Sequence, residues 1–422
     1  MFALVDVNAF YASCEKVFRP DLENKPIIVL SNNDGCVIAR NDEAKELGIK
    51  MGQPYFTLSP EFISQYAIQV FSSNYALYAD MSHRVMETLA TLAPNIEIYS
   101  IDEAFCQLSY SEQQLSLAWQ GKIIRDTIQQ HNHLTVGVGI GPTKTLAKLA
   151  NYAAKKWRKT EGVVVLSERN RQRKLMAITP VAEVWGIGRQ LTRQLNMMNI
   201  HTAMDLAQLS PYQARKKFNV IVERTVRELN GESCLSLEEV SEPRKQIVCS
   251  RSFGEKVTEF IVMQEAICNY TARAAEKLRA DGQYCQHITV FIRSSPFTPN
   301  TPYYSNYASE ILAATNDTRQ LLTAAQKILK RIWLEDRIYQ KAGVILNDFH
   351  HHKLKQFDLF LDHKKQIKNE TLMKTIDQIN RSNMGKIFFA SQGVKGQWHM
   401  KQQFLSPAYT TQVKDLAKVK IS

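Results

Sequence analysis

The chain opens on an apolar run, Phe2-Ala3-Leu4-Val5-Asp6-Val7, that contains one acid near its C-terminal end and reads as a buried strand. A carboxylate in that setting is costly unless it is paired or coordinates a metal. Asn8 to Val17 reads as a helix, and Pro26 to Leu30 as a second short strand followed by the turn Ser31-Asn32-Asn33-Asp34-Gly35. A short helix from Asn41 to Leu47 closes at Gly48, a glycine placed as a C-cap. Between 96 and 108 the residues alternate, with Ile96, Ile98, Ser100 and Asp102 on one side and Glu97, Tyr99, Ile101 and Glu103 on the other. This predicts a strand or hairpin. The adjacent acids Asp102 and Glu103 sit between Ile101 and Ala104-Phe105-Cys106, an apolar setting that a solvated turn would not have. Thr135 to Ile140 is another buried strand, broken by Gly141-Pro142. A lysine-bearing helix follows from Lys144 to Lys156, then a strand from Val163 to Leu166. Strands alternating with helices over residues 1–166 predict an α/β or α+β domain.

Residues 167–235 read as helical, with one interruption at Trp185-Gly186-Ile187-Gly188. A Gly-x-Gly between two helices, followed by Arg189 and Arg193, has the form of a helix-hairpin-helix. Its backbone N–H groups and following helix N-terminus suit a DNA phosphate without reading sequence. Pro243 with Arg244 and Lys245 marks a linker. From Ile247 to about Asp348, β-rich stretches alternate with helices through Ala272–Ala280 and Leu321–Trp333. The last seventy residues are polar, basic and poorly patterned, and no internal repeat is visible.

Length sets about three domains for these 422 residues. No stretch reaches the roughly 20 apolar residues of a membrane span. The N-terminal run has a carboxylate and no basic lead-in, so it is not expected to be a secretory signal. Seven cysteines, an odd number without any Cys-x-x-Cys, argue against a disulfide framework and against a zinc knuckle, and fit a reducing cytoplasm. The net charge of +12 is unevenly spread: residues 1–110 carry 7 basic and 14 acidic side chains, and residues 353–422 carry 13 and 5. An acidic first quarter before a basic remainder is what a carboxylate site joined to polyanion-gripping surfaces requires, although a basic protein with one acidic face has the same balance.

Asp6 at the end of one strand and Asp102-Glu103 on another are three carboxylates that a single sheet can gather at one edge. Three carboxylates and a backbone carbonyl suit two Mg²⁺ ions, which favour hard oxygen ligands. Two metals about 3.5–4 Å apart can serve both the entering and the leaving oxygen of a phosphoryl transfer. Here the sequence resembles a family. D-V-N-A-F-Y-A-S-C-E at 6–15, S-I-D-E-A-F at 100–105, K-T-L-A-K-L-A-N-Y-A-A-K at 144–155, W-G-I-G at 185–188 and S-R-S-F-G-E at 250–255 are similar, in order and spacing, to blocks of Y-family translesion DNA polymerases. The resemblance is closest to the UmuC-type branch, the catalytic subunits of DNA polymerase V.

That resemblance implies an α+β multidomain right hand. Its parts would be a ferredoxin-like palm (1–25 and 76–166), small fingers (26–75), a helical thumb with the helix-hairpin-helix (167–240), an α/β little finger (246–350) and a C-terminal interaction tail (351–422). It implies Asp6, Asp102 and Glu103 as metal ligands, with the Val7 carbonyl completing a second Mg²⁺ site. Tyr11 matches the steric-gate aromatic that excludes a ribose 2′-OH, with Phe10 beside it in the gate region or in the core. Ile38, with Ala39, would lie near the nascent base pair, and Lys155 would meet the dNTP triphosphate. Lys144 and Lys148 are expected as phosphate-backbone contacts or as a solvated helix face, and Gly186, Gly188 and Arg189 as DNA contacts.

Two departures stand out. Asn8 replaces the second acid of many members, as it does in the UmuC-type branch. Asp42 and Lys45 stand where many members have Tyr and Arg on the triphosphate; lysine keeps the charge but loses the bidentate fork. Gln356-Phe357-Asp358-Leu359-Phe360 resembles the pentapeptide that docks bacterial polymerases on the sliding clamp. The implied partners are primer-template DNA, dNTPs, a UmuD-type dimer, a RecA-type recombinase filament and the clamp. Rival readings are a stand-alone DinB-type lesion polymerase, a catalytically silent DNA-binding scaffold of the same fold, and a nucleotidyl cyclase on a related palm.

Overall fold

The structure, a computed structural model, describes residues 1–109, 116–238, 243–297, 302–351, 363–382, 385–393 and 400–416. The chain forms two units, Met1–Ser241 together with Gln403–Ser422, and Glu242–Gln402.

The first unit contains strands β1 (Phe2–Val7), β2 (Ile27–Leu30), β3 (Val37–Arg40), β4 (Gln69–Ser72), β5 (Ile96–Ile98), β6 (Glu103–Gln107), β7 (Val136–Gly141) and β8 (Val163–Val165). Its helices are α1 (Phe10–Val17), α2 (Asp42–Glu46), α3 (Pro60–Gln65), α4 (Tyr75–Leu92), α5 (Leu117–Asn132), α6 (Lys144–Lys156), α7 (Arg169–Ile178), α8 (Arg189–Asn196), α9 (Ala203–Gln208), α10 (Pro211–Lys217) and α11 (Val220–Leu229). The main sheet has the order β5-β6-β1-β7-β8, with β1 antiparallel to both neighbours. Alternation along β1 sorts its side chains by face: Ala3, Val5 and Val7 join the core built with α4 and α5, and Leu4 packs with Phe105 and Ala147 of α6.

Helix α6 lies unusually close to β7 because that strand presents Gly137, Gly139 and Gly141. A Cβ added at Gly139 would stand 2.1 Å from the backbone nitrogen of Asn151 and 2.3 Å from the Ala147 carbonyl. The buried Asn151 amide fastens the contact, donating to the Gly137 carbonyl at 2.7 Å and the Leu4 carbonyl at 3.3 Å. A smaller sheet, β3-β2-β4, carries α2, whose N-cap Asn41 accepts from Ala44 N at 3.2 Å and from Ile27 N at 2.8 Å.

The helical stretch α7–α11 packs through Leu175, Leu195, Leu206 and Val226 onto Leu146 and Leu149 of α6. The helix expected before Gly186 stops sooner than its pattern predicted. Helix α7 ends at Ile178, and the turn is entered from a single 3-10 turn at Val181–Glu183. Pro180 has no N–H to continue the ladder.

The second unit is an antiparallel sheet of order β11-β10-β12-β9 formed by β9 (Gln246–Val257), β10 (Gln283–Arg293), β11 (Ser305–Thr315) and β12 (Tyr339–His351). Helices α12 (Phe260–Ala280) and α13 (Thr318–Ile332) share its core. The stretch read from sequence as a poorly patterned tail is not one piece. Helix α14 (His363–Arg381) belongs to this unit, where Arg279 Nε and Nη2 clasp Asp377 at 2.7 Å each. Residues from Gln403 onward belong to the first unit. The anchors there are single hydrogen bonds and isolated aromatics, which leave no periodic trace. Gln356, Phe357, Leu359 and Phe360 lie outside the described residues.

Candidate active site

The register of the main sheet builds the site. Asp6, near the end of β1, is directly opposite Glu103, the first residue of β6. The Val7 amide donates to the Asp102 carbonyl at 2.9 Å, so all three acids sit at one edge. The turn before β6 is shaped by Ser100, whose hydroxyl accepts from the amides of Asp102 (3.3 Å) and Glu103 (3.1 Å) and donates to Asp102 Oδ1 at 2.6 Å. After Val7 the backbone turns through Ala9, at φ 45, into α1. Asn8 is engaged by its neighbours there: its amide nitrogen donates to the Thr135 carbonyl at 2.9 Å, and its side chain donates to Thr135 Oγ1 at 3.2 Å.

Two lysines from α6 supply the counter-charge. Lys155 pairs with Asp6, and Lys148 Nζ donates to Glu103 Oε2 at 2.8 Å and Oε1 at 3.1 Å. Burial pushes the Asp6 carboxyl up to about 7, with Lys155 opposing the rise and Glu103 adding to it. Burial also pushes Glu103 upward, but the hydrogen bonds from Asp6 and Lys148 hold it below the ordinary carboxylate range. As the side chains stand, no three His, Cys, Asp or Glu among the described residues converge tightly enough to cage an ion. The donors nevertheless fit a divalent cation in kind, being hard carboxylate oxygens at one edge, two of them already holding cationic groups.

Lys144 departs from the solvated face or phosphate contact that the sequence led us to expect. Its side chain is 4% exposed, paired with Glu97, and lies 5.1 Å from the Phe105 ring centroid. Burial in an ion pair leaves it no surface for a DNA phosphate. Lys148 is likewise committed, to Glu103 and to the ring of Tyr99 at 4.6 Å. The Gly186 and Gly188 turn and Arg189 are exposed, with Gly186 at φ +87. Beside them, Trp185 turns inward and donates to the Tyr99 hydroxyl at 3.1 Å, tying the turn to the β5–β6 hairpin.

Tyr11 is half-buried and stacks on Tyr78 at 4.4 Å, with Tyr75 edge-on at 6.4 Å. Burial, then Tyr75, then Asp102 raise its hydroxyl pKa. Phe10 is 4% exposed and is part of the core shared by β1, α4 and α5. Ile38 is half-buried on β3. Lys45 sits on an exposed face of α2, where Asp42 pairs with it at 2.7 Å. Neither makes a hydrogen bond or ion pair with the three acids among the described residues. Sequence reading missed Ser100, Tyr99, Trp185 and Glu97. Of these only Ser100, two residues before Asp102, carried a local signal, that of a hydroxyl-capped turn.

The family model described as the impB/mucB/samB family matches residues 5–152, and the model of that family's C-terminal domain matches residues 244–359. A third, described as a domain of unknown function (DUF4113), matches residues 370–419. The chain is 53% identical to Protein UmuC of Salmonella typhimurium and 51% identical to Protein SamB of the same organism, each over the full length of both chains. Its fold resembles a Y-family DNA polymerase chimera of Dbh and Dpo4, with a TM-score of 0.64 and 22% identity over 83% of this chain and all of that one. With its three acids on one sheet edge and these relatives spanning its whole length, the chain belongs to the impB/mucB/samB family, the UmuC-type Y-family translesion DNA polymerases.

Proposed function

We propose that the acidic edge of the five-stranded sheet is the nucleotidyl-transfer centre of this DNA polymerase, which copies damaged template in SOS mutagenesis. The observation that carries the assignment is the β1–β6 register, which sets Asp6 against Glu103 with Asp102 one residue away. Asp6, Asp102, Glu103 and the Val7 carbonyl would hold two Mg²⁺ ions, in keeping with the general divalent-metal dependence of Y-family polymerases. Such ions, when bound, supply Lewis-acid stabilisation to the attacking and leaving oxygens.

The primer 3′-OH attacks the α-phosphate of a dNTP, and pyrophosphate leaves. Ser100 keeps Asp102 oriented toward the site, and Lys155, which pairs with Asp6, is the cation that would meet the triphosphate. The Tyr11 ring closes the space where a 2′-OH would sit, and the exposed Gly186, Gly188 and Arg189 offer backbone N–H groups and a guanidinium to the duplex phosphates. A UmuD-type dimer and a recombinase filament as activators, and the sliding clamp as a processivity aid, follow from the family. A reducing cytoplasm fits the seven cysteines, an odd number without any Cys-x-x-Cys. No helix among the described residues is long and apolar enough to cross a membrane.

The test is primer extension with Asp102→Asn and Glu103→Gln. Both should abolish extension and leave primer-template binding nearly intact. Extension within about tenfold of wild type would overturn the metal-site assignment, since losing a ligand removes transition-state stabilisation. A wild-type chain that binds DNA and never extends it, with partners present, would instead make this a scaffold.

A further inference from the structure

Helix α1 is braced from behind by a segment whose Ser406 bonds to Glu15 from 391 positions away in sequence. Within the first unit, the Gln403 amide donates to Asp34 Oδ2 at 2.8 Å. Phe404 exchanges hydrogen bonds with Ser72, its amide donating to Ser72 Oγ at 3.0 Å and its carbonyl accepting from Ser72 N at 2.9 Å. The Phe404 ring meets Tyr55 edge-on at 5.6 Å, and Tyr409 stacks on Phe18 at 4.8 Å. Between these anchors lies Ser406, 8% exposed. The Asn74 side chain donates to Ser406 Oγ at 3.0 Å and to its carbonyl at 3.1 Å, and Ser406 Oγ donates to Glu15 Oε1 at 3.0 Å.

Glu15 is fully buried on α1, and the same Oε1 accepts the Tyr78 hydroxyl at 2.6 Å. The Tyr78 ring is the platform on which Tyr11 stacks, at 4.4 Å and 16°. A continuous series of contacts therefore runs from Ser406 through Glu15 and Tyr78 to Tyr11. A buried carboxylate that loses one of two hydroxyl donors must turn or draw in water, and the hydroxyl it shares will follow. A stacked pair has a narrow optimum, so a shift of Tyr78 is passed to the ring on top of it.

We propose that residues 403–409 are a strap that positions the sugar-selecting ring, with Ser406 as a positioning residue acting through Glu15 and Tyr78 on Tyr11. The proposal rests on the reading of Tyr11 as the steric gate. The experiment measures the rNTP/dNTP discrimination ratio of the full chain for Ser406→Ala, Ser406→Thr, Tyr11→Ala and the Ser406→Ala/Tyr11→Ala pair, and follows hydrogen exchange of residues 10–17 and 75–80. Ser406→Ala should lower discrimination by roughly three- to tenfold through tighter rNTP use, with dNTP turnover held, because small displacements of a selecting group act on the excluded substrate first. Ser406→Thr should restore the ratio, and Ser406→Ala should add nothing once Tyr11 is alanine. An unchanged ratio in Ser406→Ala beside a collapsed one in Tyr11→Ala overturns the strap alone. An additive double variant overturns the route through Tyr11. If Tyr11→Ala itself leaves the ratio unchanged, the gate reading fails. The strap's hold on α1 and α4 then stands if exchange at 10–17 and 75–80 speeds up in Ser406→Ala, and falls if it does not.

Discussion

Tyr11 and Glu15, one helical turn apart on α1, show how position on a short helix divides labour. Tyr11 keeps part of its ring open, and Glu15 is sealed in. Tyr11→Ala should admit ribonucleotides, lowering rNTP/dNTP discrimination by orders of magnitude while dNTP use survives. An unchanged ratio in steady-state incorporation would make Tyr11 an ordinary core residue. Glu15 predicts a pH signature. Burial raises its carboxyl from 4.5 to about 7, against the hydrogen bonds from Tyr78 and Ser406. The folded chain therefore holds a proton there that the unfolded chain releases above about 4.5. That contribution to stability is present at low pH and is lost as the pH climbs through about 7. Glu15→Gln should unfold near the wild-type temperature at pH 5 and be more stable at pH 8, by on the order of 1–3 kcal/mol. Parallel melting profiles for the two proteins from pH 5 to 8 would refute this.

Helix α6 shows what could be read from sequence at the scale of an element and what could not. Its start, its end and its lysine stripe follow from the 3.6-residue period, since 144, 148 and 155 fall on one face. The strand before it was equally plain, and so were the three acids, because each lies inside a short apolar run. The fates of the lysines were hidden. Lys144 is buried on Glu97 because β5 supplies that acid across the sheet, and nothing local distinguishes Lys144 from Lys148 or Lys155. The glycines of β7 also had a reason the pattern did not reveal. They are the surface on which α6 rests, and they decide how near its lysines come to the acids. Gly139→Ala would force a methyl against the Asn151 and Ala147 backbone. It should cost about 2–4 kcal/mol of stability and reduce extension as α6 is displaced. A wild-type melting temperature for Gly139→Ala would contradict the close packing.

Across the whole molecule, the apolar cluster Phe357, Leu359 and Phe360, which lies in sequence between β12 and α14, is our candidate docking segment. Leu359→Ala with Phe360→Ala should weaken clamp binding and clamp-stimulated synthesis and leave extension on short primers unchanged; equal loss of both would place these residues in a folded core instead. Residues 353–422 resisted sequence reading most. Ser406, Phe404 and Tyr409 show no period, and their partners at Asn74, Ser72 and Phe18 are more than 300 residues away. The chain leaves the first unit at Ser241 and re-enters it at Gln403, so the unit that carries the three acids is completed by residues made well after the rest of it. At about 5–20 residues translated per second, the intervening stretch delays that completion by roughly 10–30 seconds after Ser241 is joined. During that interval a nascent chain carries the three acids and the Tyr11 ring without their brace. On the reading of Tyr11 as the gate, its ring gains this brace only once residues 403–409 have been made.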